Sequence, residues 1–232
     1  MADRFFSELP LGLGETVLEG PEAHHLAHVR RLKVGERVTL FNGDGRAYRA
    51  LVDSIERKAV RLRVDGIDEP RTELGFRLEV AAVLPKGDRA DYLIEKLTEL
   101  GVTNFVPLQT ERSIAHPRES RIEKLRRAVI EASKQCGRNV LMRVHPLAGW
   151  SEYCCRTDLP ACRLIAHPSG PAHGPEAAGT RDVVYAVGPE GGFTEQEVEL
   201  ACRHDWRVVS LGPRILRIET AAVVLAAWEA QE

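Results

Sequence analysis

A small β-barrel followed by an α/β domain is the architecture that the sequence predicts, and three observations carry the prediction. The chain breaks near residue 70, where "DGIDEPRTELG" (65–75) combines Asp-Gly and Glu-Pro with few apolar residues, the composition of a linker. Before the break, short β-branched runs are separated by turn sequences. After it, strand-like runs alternate with helix-like ones, the pattern of a sheet with helices on its faces. The expected domains are residues 1–70 and 71–232.

The barrel strands are "RVTLF" (37–41), "AYRALVDSI" (47–55) and "AVRLRV" (59–64), joined by "NGDG" and "ERK". In the last of them Val60, Leu62 and Val64 alternate with Arg61 and Arg63, so one face packs and the other offers guanidinium groups to phosphate. Ahead of the strands, "PEAHHLAHVRRLKVGE" (21–36) reads as a short helix and turn carrying His24, His25, His28, Arg30, Arg31 and Lys33. His24 and His28 lie one helical turn apart but lack a third ligand nearby, so no metal site is expected.

In the second region "FRLEVAAVL" (76–84) is a strand. "RADYLIEKLTEL" (89–100) places Leu93, Ile94, Leu97 and Leu100 at helical spacing and stops at Gly101. "NFVPL" (104–108) returns as a strand. A second helix over 119–136 gathers Ile122, Leu125, Val129, Ala132 and Cys136 on one side, is basic on the other, and ends before Gly137. "CRLIAHP" (162–168), "DVVYAVG" (182–188) and "WRVVSLG" (206–212) supply three further strands. The closing "TAAVVLAAW" (220–228) is apolar all round, which calls for burial in the core, at a subunit contact, or both.

Composition narrows the function classes. With 44% hydrophobic and 28% charged residues and no apolar run of membrane-spanning length, a soluble protein with no membrane association is expected. "MADRFFSELPLGLGE" has neither the basic start nor the apolar stretch of a signal peptide, so the expected location is cytoplasmic. Five cysteines without a C-x-x-C pair indicate neither a disulfide framework nor a zinc site. A net charge of −2 excludes nucleic-acid binding through bulk positive charge. Locally the balance shifts, with 10 Lys/Arg against 5 Asp/Glu over 21–63 and 9 against 4 over 111–143.

The chemistry concentrates in two stretches. In "VVYAVGPEGGFTEQEVELA" (183–201) a buried strand runs into Gly-Pro-Glu-Gly-Gly, and Thr194 with Glu197 forms a capping box that opens the next helix. Glycines there serve a sharp strand-to-helix turn, or let a ligand touch backbone N–H and C=O directly. "VVSLGPRILRIETAAVVLAAW" (208–228) repeats the plan: a strand, Gly212-Pro213, an irregular segment, and a helix opened by Thr220. Ligands of open α/β sheets bind beyond the carboxyl ends of strands, where both loops lie. Neither G-x-G-x-x-G nor G-x-x-x-x-G-K-[ST] occurs, so a phosphate cradle is not expected. An adenosyl compound read by backbone groups and held by Leu211, Ile215 and Leu216 suits such loops better.

Together with "KGDRADYLIEKLTELGV" (86–102), "ERS" (111–113), "EASKQCGR" (131–138) and "HHLAHVRRL" (24–32), these stretches resemble, in order and over nearly the whole chain, the SPOUT methyltransferases. Within that class the resemblance is to the ribosomal RNA small subunit methyltransferase E family. It implies a SPOUT α/β domain with a C-terminal trefoil knot, preceded by a PUA-like RNA-binding barrel, in a homodimer. It implies S-adenosylmethionine as cofactor and methylation of N3 of one uridine in 16S rRNA, as free RNA or within the small ribosomal subunit. Carried onto this chain, Gly188, Pro189, Glu190, Gly191 and Gly192 hold the cofactor from one side and Leu211, Gly212, Ile215, Leu216 and Arg217 from the other, with Leu84 and His167 on the rim. Because a neutral imide nitrogen is a poor nucleophile, Arg217 is expected to stabilise the uracil anion and Glu190 or Glu219 to accept the proton. His25, Arg30, Arg31, Lys33, Arg61, Arg63, Arg112 and Arg138 are the candidate RNA contacts. Ile218 stands where many relatives carry threonine, and Ser133 and Lys134 depart from the small and acidic residues frequent there. Three other readings remain: a methyltransferase acting elsewhere on RNA, a non-catalytic RNA-binding module that keeps a ligand loop, and an oxidoreductase using the glycine loops for a flavin or nicotinamide.

Overall fold

The computed structural model describes residues 3–114, 117–172 and 182–230. Its chain divides into two compact units, Met1–Glu73 with Ser133–Leu141, and Leu74–Ala132 with Met142–Glu232.

In the first unit, β1 (Arg4–Phe6) and β2 (Gly14–Glu19) precede a short helix, α1 (Gly20–His24), which continues as a π-helical turn over His25–Val29. Three strands follow, β3 (Arg37–Phe41), β4 (Ala47–Ile55) and β5 (Ala59–Asp68). The sheet order is β1-β3-β4-β5-β2, antiparallel except for the parallel β1–β3 pair. The alternation read from the sequence of β5 is present: Val60, Leu62 and Val64 are buried while Arg61 and Arg63 are exposed. Register shifts at Arg49/Ala50 and Val52/Ser54 bend β4. Phe5 from one edge strand and Leu18 from the other meet Val38, Leu40, Val52 and Leu62 in a single core, closed on one side by Ala23 and Leu26 of the helical segment.

The second unit holds a seven-stranded sheet whose strands are all parallel. In chain order they are β6 (Leu78–Val83), β7 (Asn104–Gln109), β8 (Arg143–Val144), β9 (Ala148–Gly149), β10 (Cys162–Ala166), β11 (Val183–Val187) and β12 (Trp206–Val209). The spatial order is β12-β10-β11-β6-β7-β8, with β9 also pairing β7. β6 and β11 lie inside this order and are buried along their whole length, which is why β11 reads as an unbroken apolar run and β6 as one broken only by Glu79. Glu79, the carboxylate within β6, is buried, pairs with Arg77 and accepts a hydrogen bond from the Tyr153 hydroxyl. Burial, with Glu79 beside it, pushes that phenol's pKa up, so Tyr153 remains a donor.

The helices are α2 (Asp88–Glu99), α3 (Glu119–Cys136), α4 (Trp150–Tyr153), α5 (Glu195–Arg203) and α6 (Ile218–Glu229). Gly101 and Gly137, just past α2 and α3, have φ of 81° and 87°, the left-handed geometry expected there. α6 differs from expectation at its start. Its N-cap is Arg217, in extended conformation and without a side-chain cap, and Thr220 lies inside the first turn. The chain is already helical at Ile218, so the Thr220 hydroxyl comes too late to cap it. Ala221, Ala222, Leu225 and Ala226 are buried, whereas Val223, Val224 and Trp228 are half-buried. α6 packs on α2, β6 and β11, so the chain leaving edge strand β12 returns to the middle of the sheet. Among the described residues no helix is long and apolar enough to cross a membrane.

Candidate functional site

The site is built where three neighbouring parallel strands, β12, β10 and β11, end together. A cleft of about 240 Å³ opens there, lined by Ala166, His167 and Pro168 at the end of β10, by Val187–Gly192 at the end of β11, and by Ser210–Gly212, Arg214–Leu216, Ile218 and Ala221 after β12. Two walls therefore face each other, one from each glycine-proline loop.

The first wall is held from several directions. Gly192, at φ 67°, closes a turn by donating its N–H to the Pro189 carbonyl at 2.8 Å. Phe193 is buried against Trp150, ring centroids 4.8 Å apart, and Gly188 lets the ring pack close, since a Cβ there would lie 3.0 Å from it and force it to shift. The predicted capping box is formed, with the Thr194 side chain accepting from the Glu197 N–H and the Glu197 carboxylate accepting from the Thr194 N–H at 2.9 Å. Glu197 also accepts the Glu111 N–H at 2.8 Å, and Arg112 donates to the Gly191 carbonyl at 2.6 Å. The 111–113 segment after β7 thus buttresses the glycine loop.

The second wall is tied to the β10 loop. His167 and Ser210 donate their N–H groups to the carbonyls of Val209 and Pro171 at 2.9 and 2.8 Å. Gly170 lies so close to β12 that a Cβ would sit 2.7 Å from the Val209 backbone. Gly212 has φ of 104°. Ile215, 90% exposed, and Leu216 present apolar surface at the cleft.

Of the residues read as cofactor-binding, His167, Gly188–Gly192, Leu211, Gly212, Ile215 and Leu216 line this cleft. Leu84 and Arg217 do not. Leu84 follows β6, which lies beyond β11 from the cleft, and is buried. Arg217, the extended N-cap of α6, is exposed between two lining residues, Leu216 and Ile218. Glu219 is also outside the lining. It is buried, its Oε1 is 3.7 Å from Arg89, and its Oε2 has no hydrogen-bond partner. Arg89 reaches Glu190 as well, at 3.5 Å.

The candidate RNA residues separate into groups. Arg31 and Lys33 are exposed, and Arg30 pairs with Asp3. Arg61 and Arg63 are exposed but pair with Glu56 at 2.9 Å and Asp53 at 3.7 Å. His25 is half-buried, edge-on to Phe5. Arg112 serves the glycine loop as described. Arg138 is a correction: only 3% of its side chain is exposed and it grips Glu73 with two nitrogens, so it anchors the first unit and offers no surface charge. Residues the sequence reading passed over include Ala166, Pro168, Ser210, Arg214, Ile218 and Ala221 in the lining, and Arg89 behind it. The rule that ligands sit beyond strand ends would have found the first three.

Comparison with known proteins fits this geometry. The family model for an RNA methyltransferase domain matches residues 72–229, and one for an RNA methyltransferase PUA domain matches 18–65. Ribosomal RNA small subunit methyltransferase E of Bacillus subtilis (strain 168) is 31% identical over 218 residues, covering 88% of this chain and 85% of the relative. The chain belongs to the ribosomal RNA small subunit methyltransferase E family. The family's member from Neisseria gonorrhoeae, solved bound to S-adenosyl methionine, superposes with a TM-score of 0.90 at 32% identity, covering 98% of this chain and 96% of that one. A Legionella pneumophila protein solved with bound SAM gives a TM-score of 0.91 at 29% identity over 98% and 96% of the two chains.

Proposed function

We propose that this family member transfers a methyl group from S-adenosylmethionine to N3 of one uridine in the 16S rRNA of the small ribosomal subunit. The observation that carries the reading is the cleft itself, whose two glycine-proline walls present backbone and apolar side chains in place of a phosphate cradle. Family membership and two cofactor-bound structural relatives support the choice of ligand. The cleft residues suit it: Gly192 has open space where a Cβ would stand and leaves the backbone open to close approach, and Leu211, Ile215, Leu216 and Ile218 supply apolar contact for an adenosyl group. Bound there, S-adenosylmethionine supplies an electrophilic methyl.

The protein's own task is to deliver a uracil whose N3 has lost its proton. Glu190 lines the cleft and is exposed, so it is the proton acceptor in this reading. Both carboxylates face Arg89, but Glu219 is buried and outside the lining, which makes it the poorer candidate. Arg217, exposed beside the cleft at the start of α6, lends its guanidinium to the developing negative charge on the uracil carbonyls. Arg31 and Lys33 in the first unit give phosphate contacts that position RNA without reading its sequence.

The return of the chain from β12 at the sheet edge to α6 over β6 and β11 supports a C-terminal trefoil knot. Half-buried Val223, Val224 and Trp228 on α6, with exposed Tyr92 on neighbouring α2, support a homodimer. The test is methylation of small-subunit rRNA by the purified protein with S-adenosylmethionine, read as 3-methyluridine by mass spectrometry of nucleosides. Arg217→Ala should bind the cofactor within a few-fold of the parent yet turn over on the order of a hundredfold more slowly. Raising the pH should restore part of that rate by supplying deprotonated uracil. Unmethylated RNA from the parent protein would overturn the reading, and a near-normal rate in Arg217→Ala would remove that residue from the chemistry.

A further inference from the structure

Arg89 is the second residue of α2, in the first helical turn, where the positive end of the helix dipole disfavours a cation. Asp88 and Asp91 in the same turn offset that placement in part, and two further carboxylates face the side chain from outside the helix. One guanidinium nitrogen is 3.5 Å from Glu190 in the glycine loop after β11, and another is 3.7 Å from Glu219 in the first turn of α6. Those carboxylates belong to opposite walls of the cleft: Glu190 is part of the first wall, and Glu219 directly follows the second. Glu219 is buried and its other oxygen has no hydrogen-bond partner, so the guanidinium of Arg89 is the charged group that faces it.

We propose that Arg89 is a positioning residue, a brace that sets the distance between the two cofactor-binding walls by holding Glu190 and Glu219 on one guanidinium. The planar fork suits this role because its nitrogens diverge toward two acceptors at once, which a lysine ammonium on a single axis does less well. The glycine loop needs such a brace. The Gly192–Pro189 turn, Phe193 on Trp150 and Arg112 at the Gly191 carbonyl fix the loop locally, and none of them runs to α2 or α6. Arg89 ties the same loop to α2 and, through Glu219, to α6, two helices that pack on each other. The inference rests on the cofactor reading for its functional meaning, but the brace itself can be tested without ligand.

The experiment is amide hydrogen exchange on the cofactor-free protein, with isothermal titration of S-adenosylmethionine alongside, for the parent, Arg89→Gln, Arg89→Lys and Glu190→Gln. In Arg89→Gln the amides of both 188–192 and 212–217 should exchange about tenfold faster, and the cofactor Kd should rise by a similar factor, within the span of couplings between linked sites. Glu190→Gln, a change on an exposed side chain that cannot unfold the protein, should loosen 188–192 alone. Arg89→Lys should fall between parent and glutamine. Parent-like exchange across 188–192 in Glu190→Gln overturns the brace, and decides the matter even if Arg89→Gln does not fold. Faster exchange in both variants, in a protein whose parent binds no S-adenosylmethionine, would leave the brace standing and remove the cofactor reading instead.

Discussion

Glycine has at least two different jobs around the cleft, and the distances tell them apart. At Gly170 a Cβ would fall 2.7 Å from the backbone N and C of Val209, atoms that cannot yield without moving β12. At Gly191 the nearest atom is Arg112 Cδ at 3.4 Å, the side of a flexible chain. Gly170→Ala should therefore lower the melting temperature and disturb the cleft, whereas Gly191→Ala should melt like the parent and weaken only cofactor binding. Thermal unfolding and titration of the two variants side by side check this, and a stable Gly170→Ala would refute the packing argument. Both residues are simply glycine in the sequence. The 188–192 loop is legible because three glycines cluster beside a strand end, whereas Gly170 is not, because its constraint comes from a strand far along the chain. Arg138 escaped for the same reason: a cation in a basic stretch looks solvated until Glu73 is seen beside it.

Local chemistry governs which helices could be placed correctly from pattern alone. α5 opens on a capping box whose two members are separated by only two residues, so Thr194 and Glu197 announce its start. α6 opens without a side-chain cap, packed by its apolar face, and Thr220 only resembles a start signal. Thr194→Ala should therefore cost about 1 kcal/mol of stability while Thr220→Ala stays near neutral. Denaturant unfolding of both variants measures the difference; equal costs would mean the cap is not what secures α5. The α2 and α3 periods and their glycine stops were legible because 3.6-residue spacing is a strong local signal. β1 and β2 were not, since a three-residue strand and the polar start of "GETVLE" carry almost no period of two. Those two strands exist because their partners β3 and β5 hold them.

At the scale of the molecule, the first unit is assembled from two distant pieces of chain, Met1–Glu73 and Ser133–Leu141. The second piece brings Lys134 to Glu22, Arg138 to Glu73, and Asn139 to the Arg4 guanidinium, and its Asn139 carbonyl accepts the Gly45 N–H at 3.2 Å. A fragment of residues 1–73 should consequently melt at a lower temperature than the same fragment joined through a flexible linker to 133–141. Circular dichroism melts compare them, and identical transitions would show that the added segment contributes nothing. The linker composition near residue 70 is visible in sequence, but the return of 133–141 is not, because no pattern in "SKQCGRNVL" names its partners. This discontinuity imposes an order on synthesis. As the nascent chain emerges at about 5–20 residues per second, the N-terminal sheet must wait on the order of ten seconds for the segment that completes it. During that interval Glu22, Glu73 and Arg4 face water without their later partners. The newborn N-terminal unit is thus provisional, and it gains its final contacts only after most of β6, α2, β7 and α3 has been translated.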